Sequence, residues 1–210
     1  VERLLASPHY GEKWGRTWLD AARYADSDGF EKDKTRSAWF YRDWVINAFN
    51  RDLPYDEFIV QQLAGDLLPD ATLEQQIAAG YNRLGMMSAE GGVQPKEYLA
   101  KYQADRVRTI GSAWLGSGMT CCECHDHKYD PLTQRDYYSL LDAFNRVPES
   151  GTPQFFSSRI RMANPVLELP TAENLAKIAE FESQIAAADA EAKIATEAAY
   201  QGWLAGLIAD

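Results

Sequence analysis

Apolar side chains recur at helical spacing along most of the chain. Trp14, Trp18 and Ala21 share one face of a segment, which is typical of an amphipathic helix. The same pattern predicts helices over 12–24, 38–50, 56–63, 73–81, 96–115 and 133–144. Ser7-Pro8-His9-Tyr10-Gly11 is predicted to be a turn before the first helix, and Thr72 with Gln75 approximates a capping box before the fourth. Strand patterns are lacking, so the predicted fold class is all-α.

The C-terminal part of the chain has a different pattern. Three prolines between 152 and 170 favour extended structure, whereas alanine and glutamate dominate 171–209 and predict one long helix. We therefore expect a helical domain over 1–150, an extended connector over 151–170 and a long helix over 171–210. The heptad pattern of that helix is not sustained, so it is predicted as a spacer toward a further domain or as a surface for association.

Composition and charge restrict the classes of protein to which this chain can belong. The 210 residues are 46% hydrophobic and 25% charged, which is typical of a globular chain with a core. The sequence contains no apolar run long enough for a transmembrane helix. A net charge of −10 and a pI of about 4.8 disfavour nucleic-acid binding, which needs a basic face. The chain opens with Val-Glu-Arg-Leu-Leu and carries no secretory signal, so we expect it to be a piece of a longer protein.

The three cysteines form the most informative motif. Cys121, Cys122 and Cys124 fall within four positions and are followed directly by His125. Cys121 to His125 reads C-x-x-C-H, the attachment signature of c-type haem. Two thiols at this spacing can form thioethers to one porphyrin, and the adjacent imidazole can bind the iron as proximal ligand. We therefore predict one covalent haem c on Cys121 and Cys124, with His125 on the iron and Cys122 as an extra thiol.

Three other interpretations of the motif stay open. Zinc could take cysteine thiols together with His125 or His127, although structural zinc sites usually have two separated ligand pairs. A redox dithiol is usually found next to a strand–helix unit, which this sequence does not predict. A chance cluster of buried cysteines is the third interpretation.

The second axial position of the iron would decide between electron transfer and small-molecule chemistry. His127 is too close in sequence to His125 to reach the opposite face of the same porphyrin, so it is predicted to support the site. His9 is the first candidate for the distal ligand, and Met86 is the alternative. The remaining methionines are further candidates: Met87, Met119 and Met162.

Haem propionates need donors, and arginine suits a carboxylate best. Arg106 is the preferred candidate, and Tyr129 is a second possible donor. Other basic residues near the motif are expected to be ordinary solvated charges: Arg108, Lys128 and Arg135. If the iron is accessible, the acid–base candidates beside it are Asp126, His127 and Tyr129. The many Trp and Tyr side chains could wall a porphyrin or pack the helices.

An acidic loop precedes the second predicted helix. Its carboxylates, which surround Gly29, are Asp26, Asp28, Glu31 and Asp33. Gly29 comes two positions too early for an EF-hand, so a nonstandard Ca²⁺ site is the weaker prediction and a capped acidic turn is the stronger one.

Several motifs together resemble one family. They are Leu4 to Glu12, Asp26-Ser27-Asp28-Gly29, Tyr41 to Val45, Gln62 to Pro69, Glu90-Gly91-Gly92, Asp105-Arg106-Val107 and Cys124 to Pro131. Over roughly residues 1 to 150 they resemble the second planctomycete cytochrome-associated domain, a domain of unknown function. The resemblance implies a segment of a large exported protein that lies between a cytochrome c domain and a C-terminal partner domain. It implies no reaction.

These observations lead to three functional hypotheses. The first is a haem c unit that passes electrons to a redox partner protein or a neighbouring cytochrome domain. The second is a haem enzyme with an accessible iron. The third is an interaction module with a structural metal, in which the long helix docks a partner. Covalent haem attachment takes place outside the cytoplasm, so the first hypothesis predicts a periplasmic or otherwise exported protein.

Overall fold

The computed structural model describes residues 1–30, 32–151 and 165–209. Its described part contains eight α-helices: α1 (Glu2–Leu5), α2 (His9–Ala21), α3 (Trp39–Asn50), α4 (Tyr55–Ala64), α5 (Leu73–Ala78), α6 (Pro95–Trp114), α7 (Gln134–Phe144) and α8 (Ala172–Ala209). Three 3-10 helices join them: Gly65–Leu67, Ala79–Arg83 and Met119–Glu123. The described residues form no strand and only two isolated bridges, one of which joins Gly29 to Met87. The all-α prediction is confirmed, including the long C-terminal helix.

Two compact units make up the chain, residues 1–167 and residues 168–210. The predicted connector over 151–170 falls mostly on 152–164, which lie outside the described residues. None of the described helices combines the length and apolar character that crossing a membrane requires. In the second unit, α8 runs for 38 residues, and several of its large apolar side chains are exposed: Leu175, Ile178, Phe181, Ile185, Ile194, Tyr200 and Trp203.

The start of α2 corrects one sequence prediction. His9 was expected in a turn, but it is the first residue of α2, so the helix begins three residues before the predicted Glu12. Pro8 already has helical dihedral angles (φ −60°, ψ −22°), and the Ser7 hydroxyl accepts the His9 amide at 3.3 Å. A proline presets φ for a first helical turn, so the Ser-Pro pair starts the helix.

Both capping boxes lie where the chain enters a helix. Thr72 and Gln75 exchange side-chain and backbone hydrogen bonds at the start of α5, as predicted. Thr133 and Asp136 do the same at the start of α7, with an aspartate in place of the usual Glu or Gln. The predicted helix over 73–81 ends earlier, since α5 stops at Ala78 and the chain continues as the 3-10 helix Ala79–Arg83.

An aromatic cluster forms the main core of the first unit. Tyr41, Trp44, Phe58 and Tyr81 are buried, and Trp18 and Trp114 pack against them with their ring centroids 4.4 Å apart. The Trp18 indole donates to Tyr41 Oη at 3.0 Å, and the Trp114 indole donates to Tyr81 Oη at 3.0 Å. These aromatic side chains therefore pack the helices together, one of the two roles expected from the sequence.

A second, smaller cluster lies between α6 and α7. Its buried members are Val107, Met119, Cys122 and Tyr137. Leu132, Leu140, Leu141 and Phe144 pack against it. Because Met119 and Cys122 belong to the 3-10 helix Met119–Glu123, this cluster holds the cysteine motif against the two helices.

Candidate functional site

The cysteine motif occupies a 3-10 helix that is closed at its C-terminal end by Cys124. We call residues 119–124 the cysteine turn. Residues i and i+3 of a 3-10 helix share one face, so Cys121 and Cys124 are placed together. Both are exposed, whereas Cys122 is fully buried. The motif therefore presents two thiols to solvent and keeps the third in the core.

Cys122 is held as a core side chain. Its sulfur lies 3.6 Å from the Leu132 carbonyl oxygen, within the cluster formed with Val107 and Tyr137. Burial raises the pKa of the Cys122 thiol, which keeps it protonated and a weak nucleophile. Sequence reasoning assigned Cys122 no role, and the structure gives it a packing role.

Gly111 of α6 allows the cysteine turn to approach the helix closely. A Cβ atom at this position would lie 2.8 Å from the Ser117 carbonyl oxygen and 2.9 Å from Met119 Cγ. The Gly111 carbonyl also accepts the Ser117 amide at 3.0 Å. A larger residue at 111 would push the segment that leads into the turn away from α6.

Glu123, the residue between the buried and the second exposed cysteine, is bound by both neighbouring helices. Its carboxylate pairs with Arg108 of α6. Its carbonyl oxygen accepts hydrogen bonds from Gln134 Nε2 at 3.2 Å and from Tyr138 Oη at 3.0 Å, both from α7. The sequence analysis did not identify Glu123, Gln134 or Tyr138, since only the packing of the helices brings them together.

His125 is exposed and has a defined tautomer. Its Nδ1 atom lies 2.7 Å from the Asp126 carbonyl oxygen. A carbonyl only accepts hydrogen bonds, so Nδ1 carries the proton and Nε2 keeps its lone pair. A histidine that donates from Nδ1 to a backbone carbonyl is arranged to bind a metal through Nε2.

His127 has the opposite arrangement. Its Nδ1 accepts the backbone amides of Asp130 at 2.8 Å and Tyr129 at 3.3 Å, so the proton lies on Nε2. The side chain is only 14% exposed, and the His127 amide donates to the Leu132 carbonyl at 2.8 Å. His127 therefore holds the loop after the cysteine turn, and neither ring nitrogen is free as a metal ligand in this arrangement.

The other two acid–base candidates differ in their surroundings. Asp126 Oδ1 accepts the Gln134 amide at 2.8 Å and so caps the first turn of α7. Tyr129 is 82% exposed, with Lys128 Nζ 5.2 Å from its ring centroid. Asp126 and Tyr129 are therefore both exposed, but the Asp126 carboxylate is engaged by the start of α7.

Arg106, the preferred propionate donor, is buried and bound elsewhere. Its two terminal nitrogens bind Glu149 at 2.6 and 2.7 Å, and Nε donates to the Asn82 carbonyl at 2.7 Å. Residues two positions apart on a helix point in nearly opposite directions, and Arg108 is the arginine that reaches the cysteine turn. Arg135 and Lys128 are exposed, as expected of solvated charges.

The candidates for a distal ligand have contacts of their own. His9 is exposed and its Nδ1 lies 2.7 Å from Glu12 Oε2 on the same helix. Met86 is 59% exposed and passes close to Gly29, where a Cβ would meet its Cγ at 2.9 Å. Met87 and Met119 are buried in two different clusters. Met162 lies outside the described residues.

The acidic loop directs its carboxylates to separate partners. The Ser27 side chain and, to a smaller extent, the Gly29 amide at 2.7 Å hydrogen-bond the Asp33 carboxylate and lower the pKa of that carboxyl. Asp26 accepts the Tyr24 hydroxyl at 2.5 Å. Asp28 is buried near Arg36, and burial raises its pKa. Glu31 lies outside the described residues. Within the described ranges, no group of three or more His, Cys, Asp or Glu side chains is arranged to hold a metal ion.

The residues of the cysteine turn fit a covalently attached haem c. Such a group needs two reachable thiols at i and i+3 and a following histidine with an available nitrogen. Cys121, Cys124 and the Nε2 atom of His125 supply this donor set, and burial of Cys122 keeps the third thiol apart.

Comparison with known proteins gives one match. Residues 1–149 match the family described as PSCyt2, "Protein of unknown function (DUF1549)". No curated protein and no solved structure matches the chain. The match covers α1 to α7, the cysteine turn and Glu149, and it ends before α8.

Proposed function

We propose that this chain, which belongs to the PSCyt2 family through residues 1–149, is a c-type haem unit that transfers electrons within a larger exported protein. The observation that carries the proposal is the division of the three cysteines, with Cys121 and Cys124 exposed at i and i+3 and Cys122 buried. The family description names no activity, so the argument depends on this donor set.

Cys121 and Cys124 are the residues that would hold the porphyrin. Each thiol adds across one vinyl group, so a C–S bond forms, the S–H bond breaks and the hydrogen passes to the neighbouring carbon. The addition is redox-neutral and needs both thiols reduced. Cys122 is a poor competitor because burial raises its pKa and removes it from the surface.

His125 is the residue that would hold the iron. Its Nδ1 proton is bound by the Asp126 carbonyl, which orients the ring and leaves the Nε2 lone pair available. When bound, haem c supplies an iron centre that gains or loses one electron. The acceptor or donor would be a redox partner protein or a neighbouring cytochrome domain, and the site of attachment would be the periplasm or another exported location.

A second candidate function is a haem enzyme with an accessible iron. Its support comes from three of the distal candidates, because His9 is paired with Glu12, and Met87 and Met119 are buried in their clusters, which leaves Met86 as the exposed candidate among the described residues. If none of them binds the iron, the ferrous form is high-spin and binds carbon monoxide rapidly. Tyr129, which is 82% exposed, and Asp126, which is exposed but caps α7, would then be the acid–base groups in the loop beside the site.

The test uses the chain co-expressed with a c-type haem maturation system. The expected result is a pyridine haemochrome spectrum of the c type and a mass increase of one haem that persists after denaturation. Cys121→Ala and Cys124→Ala should each lose one thioether, whereas Cys122→Ala, the matched control, should keep both. A colourless protein with stoichiometric zinc would contradict the proposal and favour the structural-metal alternative.

A further inference from the structure

We propose that Glu123 is a positioning residue that, together with the buried Met119, fixes which two of the three cysteines face solvent. The inference uses the proposed function only for its consequence, the attachment of haem to Cys121 and Cys124. Its physical content concerns the chain alone, since it states what fixes the rotation of the cysteine turn.

The cysteine turn could pack against α6 and α7 in more than one rotation about its own axis. Successive residues of a 3-10 helix are about 120° apart around its axis. A rotation by one residue would therefore exchange Cys122 for a neighbouring cysteine at the buried position. The three cysteine side chains are chemically identical, so the choice among them comes from the other residues of the turn. Met119 shares the face of Cys122 at i and i+3, and its burial favours the observed rotation. A residue other than cysteine has to fix the rotation.

Glu123 is bound at both its side chain and its backbone. The Arg108 guanidinium of α6 pairs with its carboxylate. Gln134 and Tyr138 of α7 donate to its carbonyl oxygen at 3.2 and 3.0 Å. The turn cannot rotate about its axis without breaking contacts with two helices at once, so these bonds favour the observed seating.

Two neighbouring features also favour this orientation of the turn. Met119 is buried in the same cluster as Cys122 and anchors the start of the turn. The Cys121 carbonyl accepts the amides of Cys124 and His125, both at 3.2 Å. These contacts stabilise a turn of this shape, and Glu123 connects that shape to α6 and α7.

The test measures alkylation of each thiol in the reduced, haem-free chain. Iodoacetamide is added, and the labelling rate of each cysteine is followed by peptide mass mapping. In the unaltered chain Cys121 and Cys124 should react quickly and Cys122 slowly. The double variant Glu123→Gln with Tyr138→Phe removes the ion pair and one hydrogen bond, so Cys122 labelling should become about tenfold faster.

The matched control is Glu97→Gln with Tyr55→Phe. Glu97 forms an exposed ion pair with Lys101 on the same helix α6, and Tyr55 is an exposed tyrosine on α4. This control should leave the protection of Cys122 unchanged. Tyr138→Phe alone removes a single oxygen atom and should speed Cys122 labelling about threefold, so it provides a second test if the double variant does not fold. The charge-swapped pair Arg108→Glu with Glu123→Arg should restore protection in part.

Unchanged Cys122 labelling in the Glu123→Gln with Tyr138→Phe variant, or in Tyr138→Phe alone, would overturn the inference if the variant retains its helical circular dichroism. The haem proposal fails separately, because it is judged by haem attachment in the unaltered chain. If both hold, the double variant matured with haem should contain a larger share of protein with one thioether. If the unaltered chain acquires no haem but the labelling pattern shifts as expected, the positioning role of Glu123 stands without the proposed function.

Discussion

The Nδ1 atom of His125 donates to the Asp126 carbonyl oxygen at 2.7 Å, whereas Nδ1 of His127, two residues later, accepts two backbone amides. The two histidines of one short motif are therefore opposite tautomers. We expect nitrogen NMR of the haem-free chain to show an Nδ1 proton on His125 and an Nε2 proton on His127. An Nε2 proton on His125 would remove the argument for that ring as a preorganised ligand.

Replacing each cysteine in turn should distinguish the side chain that stabilises the fold from the two that are exposed. Cys122→Ala removes a buried side chain from the cluster with Val107 and Tyr137, and we expect a loss of about 1 kcal/mol in the free energy of unfolding. Cys121→Ala and Cys124→Ala remove exposed side chains and should change it by less than about 0.5 kcal/mol. Urea denaturation of the haem-free chain measures all three. A larger loss for Cys121 than for Cys122 would contradict the observed seating.

Gly111→Ala should destabilise the chain although alanine is the better helix former. The added Cβ would lie 2.8 Å from the Ser117 carbonyl oxygen, so the cysteine turn has to move, at a cost of about 1–3 kcal/mol. Gly202→Ala on α8 is the matched control, because a Cβ there meets nothing within 4 Å. Thermal melts followed by circular dichroism compare the two variants. Equal melting temperatures would show that α6 tolerates a side chain at this contact.

Arg106→Met should be among the most damaging single substitutions. It leaves the Glu149 carboxylate, which is 3% exposed, with Arg83 as its remaining cationic partner among the described residues, at 3.7 Å. Breaking a buried pair by removing one partner costs about 3–5 kcal/mol, and Arg83 places the expected loss at the lower end. Arg42→Met, which removes a part-exposed pair with Asp43, should cost less than about 1 kcal/mol. Comparable urea midpoints for the two variants would argue against a structural role for the Arg106–Glu149 pair.

The capping box of α7 gives a pH dependence with a defined sign. Hydrogen bonds from the Thr133 side chain and amide lower the pKa of the Asp136 carboxyl below its ordinary value. The stabilising contribution is therefore present above the ordinary aspartate pKa and is lost as the pH falls through the lowered value. Asp136→Asn should melt at a lower temperature than the unaltered chain at pH 7, and the difference should shrink in acid. Asp142→Asn, which removes an exposed pair with Arg146, is the control and should show a smaller difference at pH 7.

The features that could be predicted from the sequence depend on hydrogen bonds and backbone angles within a few residues of each other. The Thr72–Gln75 capping box was predictable because its hydrogen bonds lie within four residues. The start of α2 was predicted wrongly because Pro8 was interpreted as part of a turn, although its fixed φ suits a first helical turn. In both cases the deciding contacts lie close together in the chain.

The features that sequence could not supply depend on which face of a helix is buried. The sequence favoured Arg106 as a donor beside the motif and Arg108 as a solvated charge, but α6 turns Arg106 toward Glu149 and Arg108 toward Glu123 of the cysteine turn. The burial of Cys122 and the contacts to the Glu123 carbonyl arise in the same way, from the packing of α6, α7 and the cysteine turn. These are long-range relationships that helical periodicity does not encode.

The cluster beneath the cysteine turn ties a short motif to two helices. Val107 of α6 and Tyr137 of α7 pack against Met119 and Cys122 of the turn. A substitution at Val107 or Tyr137 therefore acts on the position of the exposed thiols of Cys121 and Cys124, although both residues lie outside the motif itself.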